Sequence, residues 1–252
     1  RGNMATDEKM LTNRISTFVD GLFLGFSRHR LAWLNLATGI WVLLPWLAPL
    51  LMHFGLAEPA GWLYTFYGFQ CHQLPQRSYF LFGDRLMLPL KDLLSVMPVG
   101  DPMLLRPFIG APGMGWKVAW SDRMVSLYTP LFIGGLLYAF SGKYWKPLSF
   151  RAWLLSSIPL AIDGITHFIN DVFGLGFRDN NAWLAVLTGG ALPEAFYAGD
   201  ALGSFNWAMR LLTGLLMGFA TAWLVYPRLQ PAFAEVESAL SGTPGARRQR
   251  GH

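Results

Sequence analysis

From Leu31 to Met52 the chain runs 22 residues without a charged side chain. A helix of that length crosses a hydrocarbon core of roughly 30 Å, and few other structures would accept it. Three later stretches have similar character: Met124 to Phe140, Ala152 to Val172 and Trp207 to Tyr226. Composition agrees, with 53% hydrophobic and 14% charged residues, against about 25% charged in soluble domains. We read an all-α fold, a polytopic membrane helix bundle with four transmembrane helices. Pro45 and Pro49 in the first span are tolerable, because membrane helices accept proline when neighbours re-satisfy the backbone.

The remaining segments are less regular. Ile15, Phe18, Val19, Leu22, Phe23 and Phe26 recur at helical spacing. They suit an interfacial helix within residues 1–30, and an ordinary packed amphipathic helix fits the same pattern. Pro59 opens a helix that Pro75 should interrupt. A full crossing by residues 60–83 would bury His72, Gln73, Gln76 and Arg77 in lipid, at high cost. A broken or re-entrant helix is expected instead. Asp84 to Lys117 reads as an apolar cap, with a short interfacial helix over Leu86 to Met97 and a loop from Gly110 to Gly115. Phe173 to Phe205 reads as a polar, Gly-rich loop with an apolar patch from Ala182 to Leu187.

Cations set the orientation. Arg14, Arg28 and Arg30 precede the first span; Lys143, Lys146 and Arg151 fill the short loop; Arg228, Arg247, Arg248 and Arg250 follow the last. With four crossings all three groups share one side, which the positive-inside rule makes cytoplasmic. Both termini then lie in the cytoplasm of a cell whose inner membrane holds the chain. Residues 31–228 form a single transmembrane domain and 229–252 an Arg-rich tail. The N-terminus does not read as a cleavable signal. One cysteine excludes an internal disulfide. The net charge of +5 is carried near span ends, not in an aromatic-interleaved stripe. That suits membrane lipid and excludes nucleic acid as a partner.

The topology gathers the polar groups. Cys71, His72 and Arg77 fall between spans one and two, on the outer side, and Asp122 and Arg123 stand at the outer mouth of span two. Asp163, His167 and Asn170, at i, i+4 and i+7, share one face of span three; Asn206 and Arg210 share one face of span four. Taken singly, each has a plain reading: polar glue between helices, a snorkelling arginine, a small buried cysteine. Convergence from four segments favours one site in the outer half of the membrane.

These motifs resemble a family of bacterial membrane proteins known only as a domain of unknown function, DUF2085. Cys71-His72-Gln73 with Arg77-Ser78 matches its first motif. Ser121-Asp122-Arg123 with Leu127-Tyr128 is similar to its second, Asp163-Gly164-Ile165-Thr166-His167 to its third, and Asn206, Arg210 and Thr213-Gly214 to its last. The resemblance covers roughly residues 60–225 and names no activity. This chain departs from it at Ser121, where the family has cysteine, and at His167, where it has glutamine, so a two-cysteine centre is not expected.

Two functions follow. The first is a hydrolase or transferase acting on a lipid or phosphate-bearing substrate. Cys71, His72, Asp163 and His167 would be catalytic, and Arg77, Arg123, Tyr128, Asn206 and Arg210 would bind substrate. His72, Asp163 and His167 are the candidate ligands for a divalent metal such as zinc. Without metal, Cys71 would be the nucleophile and a histidine its base. The surplus of arginine over acid, counting Arg178, points to an anionic ligand. The second function is non-enzymatic: an accessory or assembly subunit with protein partners in a larger membrane complex.

Overall fold

The computed structural model describes residues 18, 19, 21 and 24–240. The expected interfacial helix over residues 15–26 lies largely outside that set, as do the tail arginines Arg247, Arg248 and Arg250. Residues 24–28 are helical.

Four helices are long and apolar enough to cross a membrane: α1 (Arg30–His53), α4 (Asp122–Ser141), α5 (Phe150–Phe173) and α9 (Phe205–Leu240). The fold is an all-α helical bundle, capped at one end by short helices and a small sheet. Exposed apolar side chains stripe the bundle, as in Leu36, Ile40, Leu43, Leu47 and Leu50 on α1. A contiguous apolar surface of this extent needs lipid or a partner over it.

Prolines do not end these helices, and at two of them a tertiary donor takes the orphaned carbonyl. Pro45 cannot bond the Trp41 carbonyl, which instead accepts from the Tyr67 hydroxyl at 3.0 Å. Pro227 leaves the Trp223 carbonyl free, and the Leu148 N–H bonds it at 3.3 Å. The expected end of the last span at Tyr226 is therefore corrected: α9 continues through Pro227 and Pro231 to Leu240. α4 and α9 pack backbone to backbone where small residues repeat every four positions. A Cβ on Gly214 would meet Ser126, and one on Gly218 would press on the Leu127 carbonyl and on Pro130. This is how membrane helices associate when lipid removes the hydrophobic drive.

Between α1 and α4 lies the cap. α2 (Ala57–Gly68) folds back on α1, its Tyr67 packed among Trp41, Trp120 and Phe66. α2 ends at Gly68, seven residues before Pro75, so proline is not what breaks this segment. The chain continues as coil, a 3₁₀ turn (Pro75–Arg77) and strand β1 (Ser78–Leu81). The expected broken element is thus a helix followed by a strand. A short helix α3 (Leu90–Val96) sits inside the stretch expected to be helical. The loop expected at Gly110 to Gly115 is a hairpin between β2 (Gly110–Ala111) and β3 (Gly115–Ser121). The sheet is antiparallel in the order β1-β3-β2, with Phe80 opposite Lys117. Central strand β3 is buried from Lys117 to Trp120 and runs straight into α4, so the cap and the bundle are fused at Ser121. The last expected loop contains α6 (Phe177–Asn180), α7 (Ala182–Leu187) and α8 (Glu194–Tyr197).

Candidate functional site

Helix α5 carries apolar side chains outside and polar ones inside. Its buried residues are Asp163, His167 and Asn170, while Ile158, Ile162, Ile165 and Phe168 are exposed. This inversion is what a lipid-facing helix needs when it packs on a polar interior. Two ion-pair clusters meet that face.

The first cluster is closed. Arg210 of α9 donates from Nε to both Asp122 oxygens at 2.9 Å. Its two terminal nitrogens bond the Asp200 carboxylate and the Asp200 carbonyl, each at 2.7 Å. Arg77, from the 3₁₀ turn, donates Nε to the same Asp200 carboxylate at 2.8 Å and clamps Asp171 at 2.7 and 3.0 Å. Five residues from the cap, α4, α5, α9 and the connecting loop are thus locked together. Burial by itself would lower the Arg77 pKa, but Asp200 and Asp171 outweigh it and raise it. Burial would raise the Asp200 carboxyl, but Arg77 and Arg210 hold it below the usual carboxylate range.

The second cluster is open. Asp163 accepts from Arg123 at 2.5 Å on one oxygen and from Arg178 on the other. Among the described residues, the Nε atoms of Arg123 and Arg178 are buried without a hydrogen-bond partner, as are both ring nitrogens of His167. His167 Nε2 stands 3.7 Å from Asp163 Oδ1. Burial lowers the Arg178 pKa despite Asp163 beside it. Asn170 holds Arg178 in place, accepting from its backbone N–H at 3.0 Å and donating to Asp179 at 2.9 Å. Asn206 fixes the same loop by donating to the Arg178 and Gly199 carbonyls at 2.6 and 2.9 Å. Its amide nitrogen thus clamps backbone, while its Oδ1 is buried without a hydrogen-bond partner among the described residues. A groove of about 570 Å³ opens beside this cluster, lined by Pro159, Ile162, Thr166, Phe205, Met209 and Thr213 with Asp163 and Arg178 on its wall.

The other expected site residues lie apart from both clusters. Cys71 donates to Ser121 Oγ at 3.3 Å and accepts from the Gln73 N–H at 3.3 Å; no hydrogen bond joins it to a histidine. His72 is exposed, and Tyr128 stacks on Trp120 with ring centroids 5.1 Å apart. Gln73 adopts a positive φ of 51° and bonds the Tyr64 and Ala119 carbonyls at 2.9 and 2.8 Å, pinning the motif to α2 and β3. The metal reading is corrected. Among the described residues, no three His, Cys, Asp or Glu side chains are placed to hold a metal ion. Asp163 and His167 are buried while His72 is exposed, and both Asp163 oxygens are already taken by arginines. The expected surplus of arginine also disappears overall, because Asp171 and Asp200 join Asp122 and Asp163 against Arg77, Arg123, Arg178 and Arg210.

Sequence reasoning passed over Asp171, Asp200 and Lys117. Asp171 lies four residues beyond His167, on the face already marked by Asp163 and His167, and that spacing could have shown it. Asp200 sits in a Gly-rich loop, where no periodicity marks it. Lys117 is buried on β3, at the end of the stretch read as an apolar cap.

Comparison with known proteins adds one relative. The chain is 25% identical over 167 residues to an uncharacterised protein of Methanocaldococcus jannaschii, covering 66% of this chain and 67% of that one. No family model and no solved structure matches it.

Proposed function

We propose that this chain is a membrane protein that binds a lipid-like amphiphile with an anionic headgroup, held in the groove between α5 and α9. The observation that carries the reading is the open cluster at the groove wall. Two guanidiniums share the single carboxylate of Asp163, which leaves one formal positive charge there. Asp179 takes a hydrogen bond from Asn170, and Asp200 is bonded to Arg77 and Arg210 of the closed cluster. Arg178, on the groove wall, keeps an unpartnered Nε, a donor that an anionic headgroup can satisfy, and Arg123 adds positive charge from the far side of Asp163. The apolar remainder of the groove, from Pro159 to Thr213, suits acyl chains. The reading is one of binding, since Cys71 and His72 stand outside the open cluster and no hydrogen-bonded nucleophile and base accompany it.

Lipid co-purifying in mild detergent, quantified by mass spectrometry, tests this. The wild type should retain one anionic lipid enriched over the surrounding membrane. Ile162→Trp, which fills the groove from an exposed position, should lose it while the helix content stays unchanged. Equal lipid in both proteins, at bulk composition, would sink the proposal.

A further inference from the structure

A second cavity lies in the cap, with no part in the groove. It measures about 390 Å³ and is lined by Tyr64, Gly68, Phe69, Arg106, Ile109 and Lys117, among others. None of its lining side chains is an acid. Lys117 is 1% exposed, an unusual burial for lysine without a carboxylate beside it. Its Nζ donates to the Gln73 carbonyl at 2.7 Å and the Arg106 carbonyl at 3.0 Å. A neutral amine has two N–H groups, and these two carbonyls satisfy both. A charged ammonium has a third, for which the described residues offer no acceptor.

The other groups around Lys117 reinforce this. Tyr64 of α2 spends its hydroxyl on the Lys117 carbonyl at 2.5 Å. Cys71 comes from the coil after α2, and Arg106 from the coil before β2. Burial is the main influence on the amine and outweighs Cys71, which favours its charge; Arg106 opposes that charge to a smaller extent, and the pKa falls to about 7. Arg106 is exposed at the rim, one terminal nitrogen on the Gly68 carbonyl at 2.6 Å. Phe69, Pro107 and Ile109 supply apolar wall.

We infer that this cavity binds a small organic anion, whose charged group takes the third N–H of Lys117 beside Arg106 and whose apolar body lies against Phe69, Pro107 and Ile109. Binding then carries a proton with it. At pH 8 the free amine is mostly neutral, and an anion beside it favours the charged form, so the complex takes up a proton from solvent.

Isothermal titration of the full chain in detergent at pH 8, in two buffers of different ionisation enthalpy, reads both parts. Benzoate should bind with close to one proton taken up, at least tenfold tighter than inorganic phosphate, and neutral benzamide should not bind. Lys117→Met should abolish uptake. Arg106→Gln, altered only at the rim, should weaken benzoate several-fold and keep the uptake, which holds the test even where Lys117→Met fails to fold. No benzoate binding to wild type, benzamide binding as tightly, phosphate binding as tightly, or uptake of no protons would each overturn the inference.

Discussion

The two charge clusters use the same side chains to opposite ends. Around Arg210 and Arg77 all six guanidinium nitrogens reach an oxygen, and three acids surround two arginines. Around Asp163 two arginines share one acid and each leaves a donor unmet, with Arg178 on the wall of a groove. A saturated network has nothing left to offer a ligand, so its contribution is to hold elements from five parts of the chain in register. An unsaturated one costs stability as it stands and regains it when a partner arrives. The difference separates holding from recognition more sharply than residue type does, since Arg123 and Arg210 look alike in sequence.

The largest effect should come from breaking the closed cluster. Arg210→Met strands Asp122 in a buried place and leaves Asp200 with Arg77 alone, and should cost about 3–5 kcal/mol, read as loss of folded protein in a thermal melt. A cost below about 1 kcal/mol would mean that the network is not what holds the bundle. Asp200→Asn should cost less, about 1–2 kcal/mol, because it removes one of three acids around two arginines. That variant also tests pH. The Asp200 carboxyl lies below its unfolded value, so its stabilisation is full above the usual carboxylate range and fades as pH falls beneath it. Acid unfolding of Asp200→Asn should therefore be the shallower of the two, and an unchanged acid limb would exclude Asp200 as its source.

The open cluster should respond the other way round. Arg178→Gln leaves Arg123 on Asp163, so stability should fall by less than for Arg210→Met, about 1.5–3 kcal/mol, while retained anionic lipid drops to the membrane background. Loss of folding in place of loss of lipid would place this cluster with the first. Smallest of all is Cys71→Ser. The hydroxyl can repeat both contacts, to Ser121 and from Gln73, and the melt should move by less than about 1 kcal/mol. A larger loss would give Cys71 a role beyond these contacts.

Much of this was legible in the sequence. Long apolar runs with few charges, such as Leu31 to Met52, dictated four long helices, because a helix in lipid must satisfy its backbone internally and show apolar side chains outward. The i, i+4, i+7 spacing of Asp163, His167 and Asn170 announced the inner face of α5. Gly214, Gly218 and Ala222, every fourth residue, also foretold the α4–α9 contact, had they been read together.

What the chain's linear order does not carry is which partner each charge finds. Asp200 and Arg77 are 123 positions apart, yet share a hydrogen bond. Their pairing depends on how α5, α9 and the cap are stacked. The same holds for prolines: Pro227 looked like a stop because its orphaned carbonyl had no local donor, and only the fold brings Leu148 to it. Hydropathy and periodicity are local properties, fixed by neighbours along the chain. Charge satisfaction is a property of the packed interior, where low dielectric makes every unmet donor count. The sequence therefore determined the helices and the polar face. Tertiary packing decided that one cluster would be closed, one left open, and that Lys117 would lie where two carbonyls and a cavity meet it.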